Sequence, residues 1–175
     1  YWQAWMACGL LMSLPAAAQA DIFRWDNGQL IPGTEGITPG PGVDLSSYSE
    51  EWSSPQRNLR FADFSGGLDL TQASFYDSWL DNSRFNDANL TGAYLDGASL
   101  TNADLSGTNL TNAYLGFFCP LGPCGAGPAI LTNANFAGAN LTNAYFYYST
   151  LTNANLTGAV VTGARFYYTT SRGFT

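Results

Sequence analysis

Large apolar side chains recur every five residues along most of this chain. The period runs through residues 70–115 and resumes over residues 131–166. A small residue, usually alanine, stands two positions before most of these centres, as Ala98 does before Leu100. A period of five matches neither an α-helix, at about 3.6 residues per turn, nor a strand, at about 2.0. The pattern therefore predicts a repeat structure whose backbone turns a corner in every repeat.

The repeats also have a recognisable consensus. Units such as Ala-Asn-Leu-Thr-Asn and Ala-Asp-Leu-Ser-Gly resemble the A(D/N)LXX signature of the pentapeptide-repeat family over residues 57–168. The resemblance implies an all-β fold, a right-handed quadrilateral β-helix in which four repeats close one coil. About twenty repeats then give a solenoid of about five coils. One large and one small inward side chain per face would fill its narrow tube without overpacking. In this register Ala98 faces the tube and Asn102 faces water.

Stacking of coils makes a prediction about residues twenty positions apart, which should share a face. One predicted face carries threonine directly after its apolar centres, and the neighbouring face carries several tyrosines there. These columns persist only if the repeat at Leu131 directly follows the repeat at Leu115. Because these two centres are sixteen positions apart instead of five, the sequence predicts an eleven-residue loop excursion within residues 116–128.

The first twenty residues have the pattern of a targeting segment. Residues 1–20 contain an uncharged apolar run followed by small residues, which is typical of a secretory signal peptide. The Ala-x-Ala pattern predicts cleavage between Ala20 and Asp21. The alternative is a buried core helix. The signal favours a secreted or cell-envelope location, with no transmembrane span after its removal.

The other segments complete the predicted domain organisation. Residues 21–56 join a short strand-like piece to a Gly/Pro-rich connector, and we expect them to cap the first coil. Residues 57–175 form the predicted solenoid. Its last residues resemble secreted bacterial members of the family that continue into a further cap, so we expect the natural chain to continue past Thr175. An uncapped last coil would offer a surface for end-to-end association.

Composition argues against an enzyme. The chain has a net charge of −7, no histidine and no lysine, and no acidic residue after Asp104. Acid–base chemistry would therefore depend on carboxylates, of which Asp77 and Asp96 lie close together on one predicted face. No phosphate-binding loop or nucleophile elbow is present. We predict no catalytic residue, no cofactor and no metal ligand.

Two cysteines lie within the predicted excursion. Cys119 and Cys124 are separated by four residues, whereas a CxxC redox motif has two, and a metal site needs more ligands than two thiolates. A disulfide that closes the loop is the expected state in an oxidising compartment, and two free thiols are the alternative.

Aromatic residues give the one candidate binding face. Tyrosines recur at equivalent positions of successive predicted coils, namely Tyr94, Tyr114, Tyr145, Tyr147, Tyr148, Tyr167 and Tyr168. One interpretation is aromatic stacking that stabilises neighbouring coils. The other is an aromatic strip that binds a sugar ring or a partner protein.

Three functions are compatible with these patterns. The first is a secreted, non-catalytic scaffold or surface interaction module whose partner is an unidentified protein or glycan. The second, implied by the family resemblance, is an acidic mimic of DNA that inhibits a topoisomerase. Since the acidic residues stop at Asp104 and export would separate the protein from DNA, nucleic acid is not an expected partner. The third is a carbohydrate-binding β-helix.

Overall fold

Single β-bridges, rather than continuous strands, connect successive turns of the backbone. The computed structural model describes residues 21–46, 57–116 and 127–173. Within these ranges the backbone forms no helix and no strand longer than one bridge residue. Each repeat has an extended segment of only a few residues, and tight turns separate these segments. Neighbouring coils therefore pair through one bridge on each face.

The parallel bridges line up in four columns. The first column joins Asp44, Ser74, Tyr94, Tyr114, Tyr145 and Arg165. The second joins Asn58, Trp79, Ser99, Ile130, Thr150 and Thr170. The third joins Asp63, Arg84, Asp104, Asn135 and Asn155. The fourth joins Asp69, Asn89, Asn109, Asn140 and Val160. Four bridge positions in each turn of the chain define a four-sided solenoid.

The spacing of bridge partners records where the repeat is interrupted. Most partners are twenty positions apart, as Tyr94 and Tyr114 are. Partners that flank residues 117–126 are 31 positions apart, although those residues lie outside the described ranges. Asn58 and Asp63, which precede the Gly66-Gly67 pair, have bridge partners 21 positions away, because these two glycines add one residue to a turn. Both glycines have a left-handed φ, 77° and 78°.

A main-chain hydrogen bond closes most of the described corners of the solenoid. The Ala113 N–H, for example, donates to the Leu110 carbonyl at 3.0 Å. Within the described corners, the residue two positions after the apolar centre has a left-handed φ, which favours glycine, asparagine or aspartate. Four described corners have another residue at this position: Phe61, Gln72, Tyr148 and Tyr168.

Asn102 shows that an exposed position can still be tightly specified. Ala98 is fully buried and Asn102 is exposed, as the repeat register predicts. Asn102 nevertheless has a φ of 59°, and its amide donates to Asn82 at 3.2 Å and accepts from Asn133 at 3.0 Å. Both the turn and this ladder of amides favour asparagine over other polar residues.

The core is a stack of leucine and phenylalanine centres with alanines between them. Nearly all of these side chains are 0–1% exposed in the described coils, and five phenylalanines are among the largest of them. Serine or threonine replaces alanine at some inward positions, where its hydroxyl donates to a main-chain carbonyl. Ser83 donates to Leu80 at 2.7 Å, and Thr108 donates to Phe85 at 3.0 Å. These bonds allow a hydroxyl in the tube at little cost.

The segment before the repeats contributes to the same core. Ile22, Ile31 and Leu45 are at most 3% exposed and pack in one cluster with the repeat centres. The Trp25 indole N–H donates to the Asn82 carbonyl at 2.8 Å, and the Arg84 guanidinium lies 3.8 Å from the centre of the indole ring. These contacts attach the segment to the side of the solenoid as well as to its end.

Several sequence predictions fall on residues outside the described ranges. These are the signal segment up to Ala20, residues 47–56 of the N-terminal segment, and the pair Cys119 and Cys124. In the described part of the chain, no helix has the length and apolarity needed to cross a bilayer. That same part contains no group of three or more residues able to ligate a metal ion.

Candidate functional site: the tyrosine face

Three tyrosines form a continuous stack along the first bridge column. Tyr94 and Tyr114 have ring centroids 5.3 Å apart, and Tyr114 and Tyr145 have centroids 5.0 Å apart. Both pairs of ring planes are within 5° of parallel. The stacking follows from the backbone, because bridge partners in adjacent coils are about 4.8 Å apart. We call these three residues the tyrosine ladder, and the side of the solenoid that carries them the tyrosine face.

Arg165 occupies the next position in this column and covers the last ring of the ladder. Its guanidinium carbon lies 5.0 Å from the centre of the Tyr145 ring. It also donates a hydrogen bond to the Tyr147 hydroxyl, which raises the pKa of the guanidinium above its ordinary value. The sequence analysis missed Arg165. Its position twenty residues after Tyr145 was the available signal.

Four further tyrosines occupy the corner at which this face ends. Tyr147 and Tyr167 have ring centroids 5.3 Å apart, and Tyr148 and Tyr168 have centroids 4.9 Å apart. We call these four residues the tyrosine corner. Tyr145 and Tyr147, 6.3 Å apart, connect the ladder to the corner. The structure therefore brings all seven predicted tyrosines onto one continuous surface.

The tyrosine corner is exposed and conformationally strained. Tyr148 is 49% exposed and Tyr168 is 75% exposed. Their φ angles are 59° and 57°, in the left-handed region that bulky residues rarely adopt. Residues held in such regions cost about 1–3 kcal/mol each, and they concentrate at functional sites.

A cleft lies at the other end of the ladder. It is open to solvent, has a volume of about 480 Å³ and is lined by Asp44, Ser46, Gln72, Ser74, Tyr76 and Tyr94. Asp44 and Ser46 come from the N-terminal segment, and the other four residues come from the repeats. Tyr94 therefore belongs both to the cleft and to the tyrosine ladder. The sequence analysis did not predict this cleft.

The model of pentapeptide repeats matches this chain in eight copies, over residues 69–107, 83–116 and 129–167. The chain belongs to the pentapeptide-repeat family. This confirms the resemblance found in the sequence. Proteins of the family form right-handed quadrilateral β-helices, and they are generally structural or interaction proteins without catalytic activity.

Solved pentapeptide-repeat proteins give the structural comparison. QnrB1, a plasmid-mediated fluoroquinolone resistance protein, is 18% identical over 76% of this chain and 60% of its own, with a TM-score of 0.55. A protein of the Arabidopsis thaliana thylakoid lumen is 31% identical over 70% of this chain and 64% of its own (TM-score 0.42). One from the cyanobacterium Cyanothece 51142 is 28% identical over 63% and 65% (TM-score 0.47).

The likeness to QnrB1 supports the fold alone. The match spans 60% to 65% of the length of these three solved structures. No curated protein matches this chain significantly. The identity of its partner must therefore be argued from its own surface.

Two carboxylates, Asp77 and Asp96, lie in adjacent coils on the tyrosine face. Burial raises the pKa of Asp96 from 3.8 to about 7. Its carbonyl accepts a hydrogen bond from the Asp77 N–H at 2.9 Å, so the two residues lie in adjacent coils. Burial is the largest cause of this raised pKa, and the charge of Asp77 is not among its causes.

Proposed function

We propose that this chain is an exported, non-catalytic interaction module that binds a partner protein on its tyrosine corner. One observation carries the proposal: Tyr148 and Tyr168 are stacked, exposed and held in left-handed backbone. At most other left-handed corners the chain uses glycine, asparagine or aspartate, and its asparagines also form ladders. Stability alone would therefore favour one of these residues, such as asparagine, at these two positions.

The energies favour a binding role over a packing role for this pair. Left-handed backbone costs a bulky residue about 1–3 kcal/mol, and two residues bear that cost. A stacked aromatic pair returns about 0.5–1.5 kcal/mol beyond its buried area. The backbone strain of the pair is therefore larger than its stacking energy, whereas tyrosine is among the residue types that dominate binding energy at protein interfaces.

Charge indicates the kind of partner surface. No acidic residue follows Asp104, and Arg165 adjoins the tyrosine corner through its hydrogen bond to Tyr147. The complementary surface is an apolar patch bordered by carboxylates, because opposite charges steer association and suppress wrong partners. Tyrosine and arginine are both enriched in the centres of protein interfaces.

The variant Tyr148→Asn/Tyr168→Asn tests the corner. We expect it to lose partner binding while its melting temperature stays the same or rises, because asparagine relieves the strained backbone. Secreted proteins of the source cell are passed over immobilised wild type and variant, and a protein retained only by the wild type is then purified. Calorimetry with the two purified proteins should give a dissociation constant for the wild type, with affinity about tenfold or more weaker for the variant.

A matched control places tyrosines on a different corner. Asn133→Tyr/Asn153→Tyr puts two stacked tyrosines at left-handed positions twenty residues apart. We expect this variant to lower the free energy of unfolding by about 1–3 kcal/mol per site and to leave partner binding unchanged. A lower melting temperature in Tyr148→Asn/Tyr168→Asn, with no difference in retained proteins, would instead identify the corner as packing.

Export has a separate test. With a start codon and a basic N-terminal region added, the chain should be secreted from a bacterium and its N-terminal sequence should begin at Asp21. In the fold the Asp21 carboxylate accepts a hydrogen bond from the Gly36 N–H at 3.0 Å, which supports a mature chain that starts there. A cytoplasmic product that keeps residues 1–20 would contradict export.

The proposed architecture beneath this surface has about five coils and one excursion. Bridge partners 31 positions apart around residues 117–126 support an insertion of eleven residues between coils that otherwise remain in register. In an exported protein the Cys119 and Cys124 thiols would form a disulfide across that loop.

A further inference from the structure

The tyrosine ladder stops at Tyr94, although its column continues. The next residue in the column is Ser74, whose bridge partner is Tyr94. A serine side chain is much smaller than a ring, so one face of Tyr94 looks into the cleft. Tyr94 is accordingly 46% exposed, whereas Tyr114, which has a ring on each side, is half-buried. The cleft therefore lies where one more ring would continue the stack.

We propose that this cleft binds a neutral pyranose ring of a saccharide, which stacks on the open face of Tyr94. The site lies at the N-terminal end of the ladder, away from the tyrosine corner, and its ligand belongs to a different chemical class. Failure of one site would therefore leave the other unaffected. The cleft is open to solvent, and its volume, about 480 Å³, is large enough for one sugar ring.

The lining of the cleft combines two tyrosine rings with four polar side chains. Asp44 supplies a carboxylate, and the Ser46 N–H holds it in place by donating to its Oδ1 at 2.9 Å. Ser74 supplies a hydroxyl, and Gln72 supplies a carboxamide with both donors and acceptors. A pyranose matches this set, because its C–H face packs on an aromatic ring while the hydroxyls at its edge hydrogen-bond. A purely aromatic ligand would leave the polar side chains without partners.

Gln72 adds an independent indication of a site. It is one of the four residues that replace the usual glycine, asparagine or aspartate at a left-handed corner, with a φ of 58°. Its longer side chain extends along the corner, where its Cγ lies 3.5 Å from the place that a Cβ of residue 92 would occupy. Strain at a residue that lines a cleft is a common property of ligand sites.

Charge limits the class of saccharide. Asp44 lies in the cleft, and Asp77 and Asp96 belong to the same face. Asp44 is the charged residue of the lining, while the Arg57 guanidinium lies beside the cleft and donates to the Ser46 carbonyl at 3.2 Å. An acidic sugar would meet like charges in the cleft, so a neutral hexose unit fits better than a uronate.

An NMR titration of the full chain with three oligosaccharides tests the site. The probes are cellotriose and triacetylchitotriose, which are neutral, and trigalacturonate, which is acidic. We expect a neutral probe to shift the amide signals of Gln72, Ser74 and Tyr94 in a saturable way, with affinity about tenfold or more above that of trigalacturonate. Absence of saturable shifts with both neutral probes would overturn the proposal, as would tighter binding of the acidic probe.

Two variants with one matched control locate the ligand. Ser74→Tyr should extend the ladder by one ring, fill the cleft and abolish the shifts, with unchanged or higher thermal stability. Tyr94→Ala should weaken binding about tenfold or more, because it removes the stacking surface. Thr150→Tyr adds the same ring at a bridge position of another face and should bind as the wild type does. Wild-type affinity in Ser74→Tyr would refute the site.

Discussion

A Gly116→Ala variant is expected to lose about 3 kcal/mol or more of folding free energy, although it adds only one methyl group. Gly116 is buried, and it is the last residue of the described range 57–116. A Cβ at this residue would overlap the main-chain nitrogen and oxygen of Tyr147 and the carbonyl carbon of Phe146. These are backbone atoms of the next coil, so no rotamer change can relieve the overlap. The two coils would have to separate, with loss of their bridge.

Urea denaturation followed by circular dichroism measures this effect, with Gly127→Ala as the control. A Cβ at Gly127 would meet no atom within 4 Å, and we expect that substitution to change the free energy of unfolding by less than about 0.5 kcal/mol. Neither glycine has a left-handed φ, so the comparison isolates packing from backbone strain. Equal stability of the two variants would mean that the coils of Tyr114 and Tyr145 do not pack as the bridge between these residues indicates.

The second large effect is a loss of stability as the pH rises through neutrality. Burial raises the pKa of Asp96 from 3.8 to about 7 in the folded protein, whereas the unfolded chain ionises this group near its ordinary value. Above about pH 4 the unfolded state therefore binds fewer protons, and its formation becomes easier with each pH unit. The contribution of Asp96 is fully present below about pH 4 and is lost by about pH 7, with a total of about 2–4 kcal/mol.

Comparison with Asp96→Asn isolates this contribution. Other carboxylates act in the opposite direction: a hydrogen bond from the Thr71 hydroxyl is the largest cause that lowers the pKa of Asp69, whose stabilising effect is lost in acid. The difference in unfolding free energy between wild type and variant should therefore be measured from about pH 4 to about pH 9. We expect Asp96→Asn to be the more stable protein at the alkaline end.

A charge-matched control accompanies this series. Asp87→Asn removes one negative charge at an exposed corner where φ is 64°, which asparagine adopts as readily as aspartate. It should keep the pH dependence of the wild type. An unchanged pH dependence in Asp96→Asn would show that the buried carboxyl is not its source.

The sequence was sufficient to predict the repeat register, because the period of five is visible in the order of residues within each repeat. It placed Tyr94, Tyr114 and Tyr145 at one equivalent position, and their backbone pairing then leaves little freedom for the rings. Arg165 was within reach of the same argument. Arg165 was overlooked because a column of aromatic residues does not indicate that its last position is a cation.

Other features of the site depend on information that a repeat pattern does not contain. The cleft needs Asp44 and Ser46, which lie in a segment without repeats, so only the folded chain brings them beside Tyr94. The repeat consensus also does not indicate that the backbone of Tyr148 is strained. The two variable positions of the consensus accept most residues. Backbone angles, rather than side-chain types, distinguish this corner from a merely aromatic one.

Because adjacent coils pair through one bridge on each face, the solenoid can lengthen or shorten only by whole coils. A duplication or deletion of twenty residues would return every later side chain to its own face, and would lengthen or shorten the tyrosine face by one step without altering its chemistry. A change of five residues would move each later column by one side and mix aromatic, amide and threonine positions. Related chains should therefore differ by multiples of four repeats within the coils. Insertions of any length should accumulate at the corners, where they do not change which residues pair between coils.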